Sequence, residues 1–344
     1  MADAMLRRTS EVAETGILTA VGNTPLVHLT HLLGESDVKL YAKLEGFNPG
    51  GSSKDRPATA ILRHCLDHGV IDHRTVIIES SSGNMGIGLA QACRYFGLRF
   101  ICVVDPKIAA QNLRLLEAYG AEINYVLEPD PETGELLQAR LARVKELIGS
   151  IPNSFWPNQY QNEQNPLSHY HTTMHEIVSV LGDLDYLFVA TSTCGTITGC
   201  ATYLRDHGMT TKVIAVDAKG SLIFSDQKGK RLVPGIGAGL RPPLCNPLLI
   251  DRIEWVSDAD CVVGCRRLVR LEAILAGGSS GGVVSAIERL APEIPDGSTV
   301  VAILPDRGER YLETIYSDAW VAENVGDVSE LAQQWERVGV PAWV

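Results

Sequence analysis

Lys54 ends the run Asn48-Pro-Gly-Gly-Ser-Ser-Lys54, and Asp-Arg-Pro57 follows it. A Gly-rich turn with serine caps leads there into a helix, with Pro57 at the first helical position. A lysine just ahead of a first turn lies near the positive end of the helix dipole, which favours the neutral amine. Schiff-base chemistry needs a neutral amine as nucleophile. The same residues equally describe a capped helix with a solvated lysine, and this stretch alone does not decide between the two. It is not a P-loop, because G-x-x-x-x-G-K-[ST] is absent.

Three further turns carry groups suited to anions. Glu79-Ser-Ser-Ser-Gly-Asn84-Met-Gly-Ile-Gly88 follows a strand and opens a helix. Its hydroxyls and helix-start amides suit a carboxylate or phosphate, or else form a routine Ser/Asn cap. Ser192-Thr-Cys-Gly-Thr-Ile-Thr-Gly199 repeats the order of strand, polar turn and helix, and suits a phosphate cradle of backbone amides. No G-x-G-x-x-G occurs in it, so a dinucleotide fingerprint is not supported. Gly277-Gly-Ser279-Ser-Gly-Gly282 lies between two expected helices and is either a further functional turn or, equally, a plain helix-helix turn, and Gly235-Ile-Gly-Ala-Gly239 reads as flexible backbone near a ligand.

His171 and His175 are one helical turn apart, but H-E-x-x-H is absent and no third ligand suggests itself. Packing or capping is the better reading, and no metal is expected. Asp306-Arg-Gly-Glu-Arg-Tyr311 follows a buried strand, so its charges either face a ligand or close an ion-paired strand end.

Alternating strands and helices must position these turns. The pattern predicts strands over 39–44, 75–79, 99–104 and 122–127, with helices over 57–68, 85–96, 112–119 and 135–147. A polar, aromatic stretch (PNSFWPNQYQNEQNP) then intervenes. Helices are expected over 171–181, 196–206, 259–275 and 283–290, and strands over 186–190, 212–217 and 299–304. The segment 218–250 has no clear period and reads as a long functional or mobile loop. Such a βαβα series implies parallel sheets covered by helices, with ligands expected in a cleft at the strand carboxyl ends.

Composition bounds the function class. The 344 residues are 45% apolar and 21% charged, which suits about two globular domains. The net charge of −11 is a poor footprint for nucleic acid. No window approaches a membrane span, and the first 16 residues lack the apolar core of a signal peptide, so a cytoplasmic protein is expected. None of the eight cysteines forms C-x-x-C, which suits a reduced structural set or one reactive thiol.

One lysine, two anion cradles and a Ser/Gly turn, all at strand ends, together suit a phosphorylated cofactor held through an imine. On these residues the chain resembles the cysteine synthase and cystathionine β-synthase superfamily, pyridoxal-phosphate enzymes of fold type II (tryptophan synthase β-like). The resembling stretches are VGNTPLVHL, AKLEGFNPGGSSKDR, SSSGNMGIGLA, PNQYQNEQNP, TSTCGTITG, GIGAG, AGGSSGG and LPDRGERYL, in order from Val21 to Leu312. More narrowly, CVVDPKIAAQNL, SHYH, VIAVDAKGSLIF and LPDRGERYLETIYSDAW resemble the N-(2-amino-2-carboxyethyl)-L-glutamate synthases. These serve 2,3-diaminopropionate supply in siderophore assembly (staphyloferrin B type) and peptide antibiotic pathways.

The resemblance implies an α/β protein of two doubly wound parallel-sheet domains. The smaller, mobile one would span 45–152, and the larger, cofactor-binding one 1–44 and 153–344. Pyridoxal 5′-phosphate would be held by Lys54 and bonded by Asn84 at its 3′-oxygen. Ser192, Thr193, Cys194, Gly195 and Thr196 would take its phosphate, and Ser279 would meet its pyridine nitrogen. The substrate carboxylate would lie at Ser81, Ser82, Gly83 and Met85, with Tyr160 and Gly235 near the substrate. The implied reaction is β-replacement on O-phospho-L-serine by L-glutamate, with Lys219 and Arg241 as candidate cations for the extra anionic groups. A homodimer and a partner oxidoreductase acting on the product are implied as well. The alternatives are a cysteine synthase using O-acetylserine or O-phosphoserine, and a non-catalytic protein that retains the fold.

The chain departs from cysteine synthases at several places. Met85 stands where they carry a hydroxyl residue, and Ser192 and Cys194 replace glycines. Arg307 stands where many relatives carry the serine that faces the pyridine nitrogen.

Overall fold

A computed structural model describes residues 16–336 of the chain. These residues form two compact units, one built from 16–23 with 48–157 and the other from 24–47 with 158–336.

In the first unit a parallel sheet has the strand order Glu122–Tyr125, Arg99–Val104, Val76–Ser80, Ser154–Phe155. Side chains alternate across it with the period of two that a strand imposes. Ile77, Phe100 and Cys102 face Ile61, Leu62, Ile87 and Leu89 of the helices Asp55–Asp67 and Asn84–Phe96. Val76, Ile78, Ile101 and Val103 face Val144 and Leu147 of the helix Leu136–Ser150. Both faces are covered, which explains why these strands read as continuous apolar runs.

The second unit holds a larger sheet in the order Leu26–Leu29, Lys39–Leu44, Thr299–Leu304, Tyr186–Ala190, Lys212–Ala218, Arg252–Val256. The first pair is antiparallel and every other pair is parallel. Phe188, Ile214, Val300 and Ala302 bury one face against Val262, Leu268, Val283 and Ile287. Leu187, Val213, Val301 and Ile303 bury the other against Ile177, Ile197 and Leu204.

Several expectations are corrected. Residues 16–23 join the first unit, not the second, and Leu18 packs in its core with Ile61 and Leu89. The helix expected from Pro57 starts at Asp55, so Pro57 is its third residue. That position is still in the first turn, where the missing N–H costs no helical bond. The Gly277–Gly282 turn is the start of the helix Gly278–Leu290. Its glycines allow close approach to the helix Asp258–Glu272: a Cβ on Gly281 would lie 2.0 Å from the Cys261 carbonyl oxygen. The strands Leu26–Leu29 and Arg252–Val256, at the two edges of the larger sheet, are short and were not anticipated. The helix expected over 171–181 begins at Gln164 and runs through a π-helical segment, His169–Met174. Segment 218–250 is irregular apart from a short 3₁₀ turn, Pro247–Leu249.

Candidate active site

In the first unit the Gly-rich turn folds around the buried Asp55 carboxylate. Gly50 N–H donates to it, and a Cβ on Gly50 would come within 2.7 Å of it. Lys54 is half-buried and is the N-cap of the helix Asp55–Asp67, which no side chain caps. Its N–H donates to Ser52 Oγ at 3.2 Å, and its Nζ lies 3.4 Å from Ser53 Oγ. A Cβ on Gly88 would meet the Lys54 carbonyl oxygen at 3.1 Å. That glycine therefore lets the helix Asn84–Phe96 pack directly on the backbone of Lys54.

The same helix start carries the second expected group. Ser81 Oγ accepts from Gly86 N–H at 2.9 Å, so its acceptor capacity is engaged and its own proton can serve a ligand. Gly83 leaves open space, with no atom within 4 Å of where a Cβ would be. The Ser82 carbonyl accepts from Asn112 Nδ2 at 3.1 Å, and Ser82 Oγ accepts from Arg140 Nη1 at 2.7 Å. Arg140 also places its Nε 3.1 Å from Asp105 Oδ2. The Met85 side chain is 2% exposed and lies in the unit's core, and its backbone stands at the helix start.

In the second unit the turn before the helix Gly195–Asp206 adopts an anion-binding shape. Cys194 is left-handed at φ 64° and its own side chain does not cap the helix; of the first-turn amides, Gly195 N–H reaches Thr193 Oγ1 at 3.4 Å. First-turn N–H groups lack intrahelical acceptors and converge on the helix axis, where they meet anions. A Cβ on Gly195 would fall 2.0 Å from Asn165 Oδ1, which is buried without a hydrogen bond among the described residues. Asn165 Nδ2 donates to the Gln159 carbonyl at 2.7 Å and to Thr193 Oγ1 at 3.3 Å. It thereby ties the half-buried Tyr160 stretch to the turn.

Two more loops join this turn. Gly237 N–H donates to the Thr191 carbonyl at 2.7 Å, and Ser192 Oγ donates to the Gly237 carbonyl at 3.3 Å. A Cβ on Gly235 would lie 3.7 Å from Ser279 Oγ, so the Gly235–Gly239 loop links the turn to the buried Ser279. Ser279 lies in the first turn of its helix, behind Gly277, whose N–H donates to the Asp306 carbonyl at 3.2 Å. Tyr311 O–H donates to the Asp306 carboxylate. Arg307 turns to the Gly46 carbonyl and stacks 5.9 Å from the Phe47 ring. Asp306 and Arg307 are thus engaged locally at the strand end.

Other expectations resolve by position. The rings of His171 and His175 pack against Tyr170 and Tyr203. Lys219 is exposed, and Arg241 donates from Nε to the Ile223 carbonyl at 2.7 Å. Cys194 and Cys245 share a hydrogen bond that pushes the Cys245 thiol down and the Cys194 thiol up. Burial pushes the Asp217 carboxyl up to about 6. Sequence reasoning missed Arg140, Asp217 and the buried His169, whose Nε2 is 3.1 Å from Thr196 Oγ1. Arg140 reads from sequence as one more surface arginine on an amphipathic helix, and only a contact 58 residues away distinguishes it.

Among the described residues no helix is long and apolar enough to cross a membrane. The residues present fit a phosphorylated aldehyde cofactor. The second unit offers a helix start with a left-handed Cys194, which does not cap it, and a glycine where a Cβ would clash. The first offers an amine at an uncapped helix start beside a hydroxyl-lined turn.

Comparison with known proteins agrees. Residues 17–306 match the model of the family described as pyridoxal-phosphate dependent enzyme. The chain is similar to the O-acetylserine dependent cystathionine β-synthase of Helicobacter pylori, at 34% identity and TM-score 0.82, covering 88% of this chain and 99% of that one. It is similar to a hydrogen sulfide-producing enzyme of Fusobacterium nucleatum, at 33% identity and TM-score 0.81, covering 86% and 99%. An O-ureido-L-serine synthase matches at 31% identity and TM-score 0.80, covering 89% and 98%. The chain therefore belongs to the pyridoxal-phosphate dependent enzyme family, as a fold type II enzyme of the β-replacement class with pyridoxal phosphate as its cofactor.

Proposed function

We propose that this enzyme joins O-phospho-L-serine to L-glutamate, giving N-(2-amino-2-carboxyethyl)-L-glutamate and phosphate. The product would feed 2,3-diaminopropionate supply for a siderophore or peptide natural product. The observation that carries this reading is Arg140. Its largely buried guanidinium donates to Ser82 at 2.7 Å, inside the loop assigned to the substrate carboxylate. Its pairing with Asp105 offsets the charge, and the guanidinium N–H donors left beside Ser82 suit reactants with an anionic group beyond the α-carboxylate, as phosphoserine and glutamate both have. Sulfide needs no such partner. The narrower resemblance of CVVDPKIAAQNL and LPDRGERYLETIYSDAW supports the same reading.

When bound, pyridoxal phosphate supplies an electron sink that acidifies the substrate Cα–H and lets a β-substituent depart. Lys54 Nζ would hold the cofactor covalently, yield it to the incoming amino acid, and then take the α-proton. The Ser81 hydroxyl and the amides at the helix start of Asn84 would orient the carboxylate. Asn84 would bond the 3′-oxygen, and the Ser192–Thr196 turn would take the phosphate. Ser279 would meet the pyridine nitrogen with a hydroxyl, which does not keep that nitrogen protonated as a carboxylate would. This disfavours transamination and favours β-elimination. A homodimer and a downstream oxidoreductase acting on the product are part of the proposal.

The test is spectroscopic. Purified enzyme reconstituted with pyridoxal phosphate should absorb in the visible range, and O-phospho-L-serine should change that spectrum. Glutamate should restore it, and sulfide should not. Restoration by sulfide alone would establish a cysteine synthase instead.

A further inference from the structure

His169 is fully buried in the π-helical segment His169–Met174. Its Nδ1 lies 2.9 Å from Thr173 Oγ1, and its Nε2 lies 3.1 Å from Thr196 Oγ1. Thr173 is itself 0% exposed, and among the described residues its hydroxyl makes no other hydrogen bond. A buried O–H needs an acceptor, and Nδ1 is the one within reach. Nδ1 therefore accepts, and the ring proton is on Nε2. Nε2–H then donates to Thr196 Oγ1. The opposite tautomer would leave the Thr173 hydroxyl proton buried without an acceptor, which is the costlier arrangement.

Packing holds this chain in register. A Cβ on Gly199 would come within 2.0 Å of the Pro166 carbonyl oxygen and 3.0 Å of His169 Cβ. The helix Gly195–Asp206 and the π-helical segment thus meet with no slack. Thr196 is half-buried and makes no other side-chain hydrogen bond among the described residues. With its oxygen already accepting from His169, its own proton is committed to an outside acceptor.

We propose that His169 is a positioning residue: with its proton on Nε2 it donates to Thr196 Oγ1 and makes the Thr196 hydroxyl an obligate donor to a phosphate-ester oxyanion. This rests on the reading of Ser192–Thr196 as the holder of the cofactor phosphate.

Two measurements test it. In protein carrying ¹⁵N-histidine, long-range ¹H–¹⁵N correlation spectra should give His169 the Nε2–H pattern, its signals being those lost in His169→Gln. An Nδ1–H pattern overturns the proposal, and where His169→Gln does not fold the same signals are assigned by their loss on His169→Asn. The second measurement is reconstitution of apoenzyme with pyridoxal phosphate, followed by affinity and by the ³¹P resonance of the bound phosphate. Gln carries an amide N–H near the Nε2 position and Asn carries one only near Nδ1. His169→Asn should weaken cofactor binding about tenfold and move the resonance. His169→Gln should stay within about threefold. Equal losses in both variants overturn the proposal. Thr196→Val separates the two readings. If it weakens binding and His169→Asn does not, the positioning role fails alone. If neither has an effect, the phosphate reading of the turn fails with it.

Discussion

Arg140 donates from Nη1 to Ser82 Oγ at 2.7 Å while its Nε lies 3.1 Å from Asp105 Oδ2. The pairing with Asp105 fixes the guanidinium, so its contact with Ser82, in the loop proposed to take the substrate carboxylate, is held before any reactant arrives.

Replacing Arg140 should therefore act on binding more than on turnover. In Arg140→Met, KM for O-phospho-L-serine or for glutamate should rise about tenfold or more, the loss expected for one charge-assisted hydrogen bond. kcat should change little. Arg140→Lys keeps a charge but not the two-point geometry, and should fall between the two. Steady-state kinetics with each reactant varied in turn checks this. An unchanged KM for both would remove Arg140 from substrate recognition.

Gly195 offers a packing test of the turn proposed to hold the cofactor phosphate. A Cβ there would lie 2.0 Å from Asn165 Oδ1, against the amide that braces Thr193 and Gln159. Gly195→Ala should cost about 1–3 kcal/mol in the apoenzyme through overpacking, and should also weaken cofactor affinity. Thermal unfolding and cofactor titration read the two effects separately. Gly208→Ala is a control for substitution elsewhere in this unit, since nothing lies within 4 Å of a Cβ there, although its φ of 68° adds backbone strain.

How far these sites were readable from sequence divides along one physical line. The turns at Lys54, Ser81–Asn84 and Ser192–Thr196 depend on nearby residues, and their Gly and Ser content announces them. The central strands, such as Thr299–Leu304, announce themselves by β-branched apolar runs. His169 to Thr196 and Arg140 to Ser82 are contacts 27 and 58 residues apart, set by how elements pack. No local spacing encodes them. The glycines of 277–282 misled for a related reason. Their lack of side chains serves helix-to-helix approach at Cys261, where a turn was expected.

Asp217 should impose a pH dependence on stability. Burial raises its carboxyl to about 6 from 3.8, against hydrogen bonds and the Arg231 charge, which pull it down. Below pH 3.8 both folded and unfolded chains hold this proton, and its favourable contribution is fully present. Between 3.8 and about 6 the unfolded chain ionises while the folded one keeps its proton, so stability falls as pH rises. The full effect is about 3 kcal/mol. Asp217→Asn should flatten this part of the stability–pH curve, as measured by denaturant unfolding at several pH values. An unaltered slope would contradict the assignment.

Cys245 should be the most reactive thiol among the eight. It is half-buried while the other seven are buried. The hydrogen bond with Cys194 and then the Arg241 charge push its thiol below the ordinary value, although burial opposes them. Brief treatment of native enzyme with iodoacetamide, followed by peptide mass spectrometry, should find Cys245 modified first.

The most direct measurement is product analysis. Reconstituted enzyme is given O-phospho-L-serine with equal glutamate and sulfide, and released phosphate and products are quantified by mass. The account predicts phosphate in stoichiometric yield with N-(2-amino-2-carboxyethyl)-L-glutamate, little cysteine, and neither product from Lys54→Ala. Cysteine as the main product, or full activity in Lys54→Ala, would contradict it.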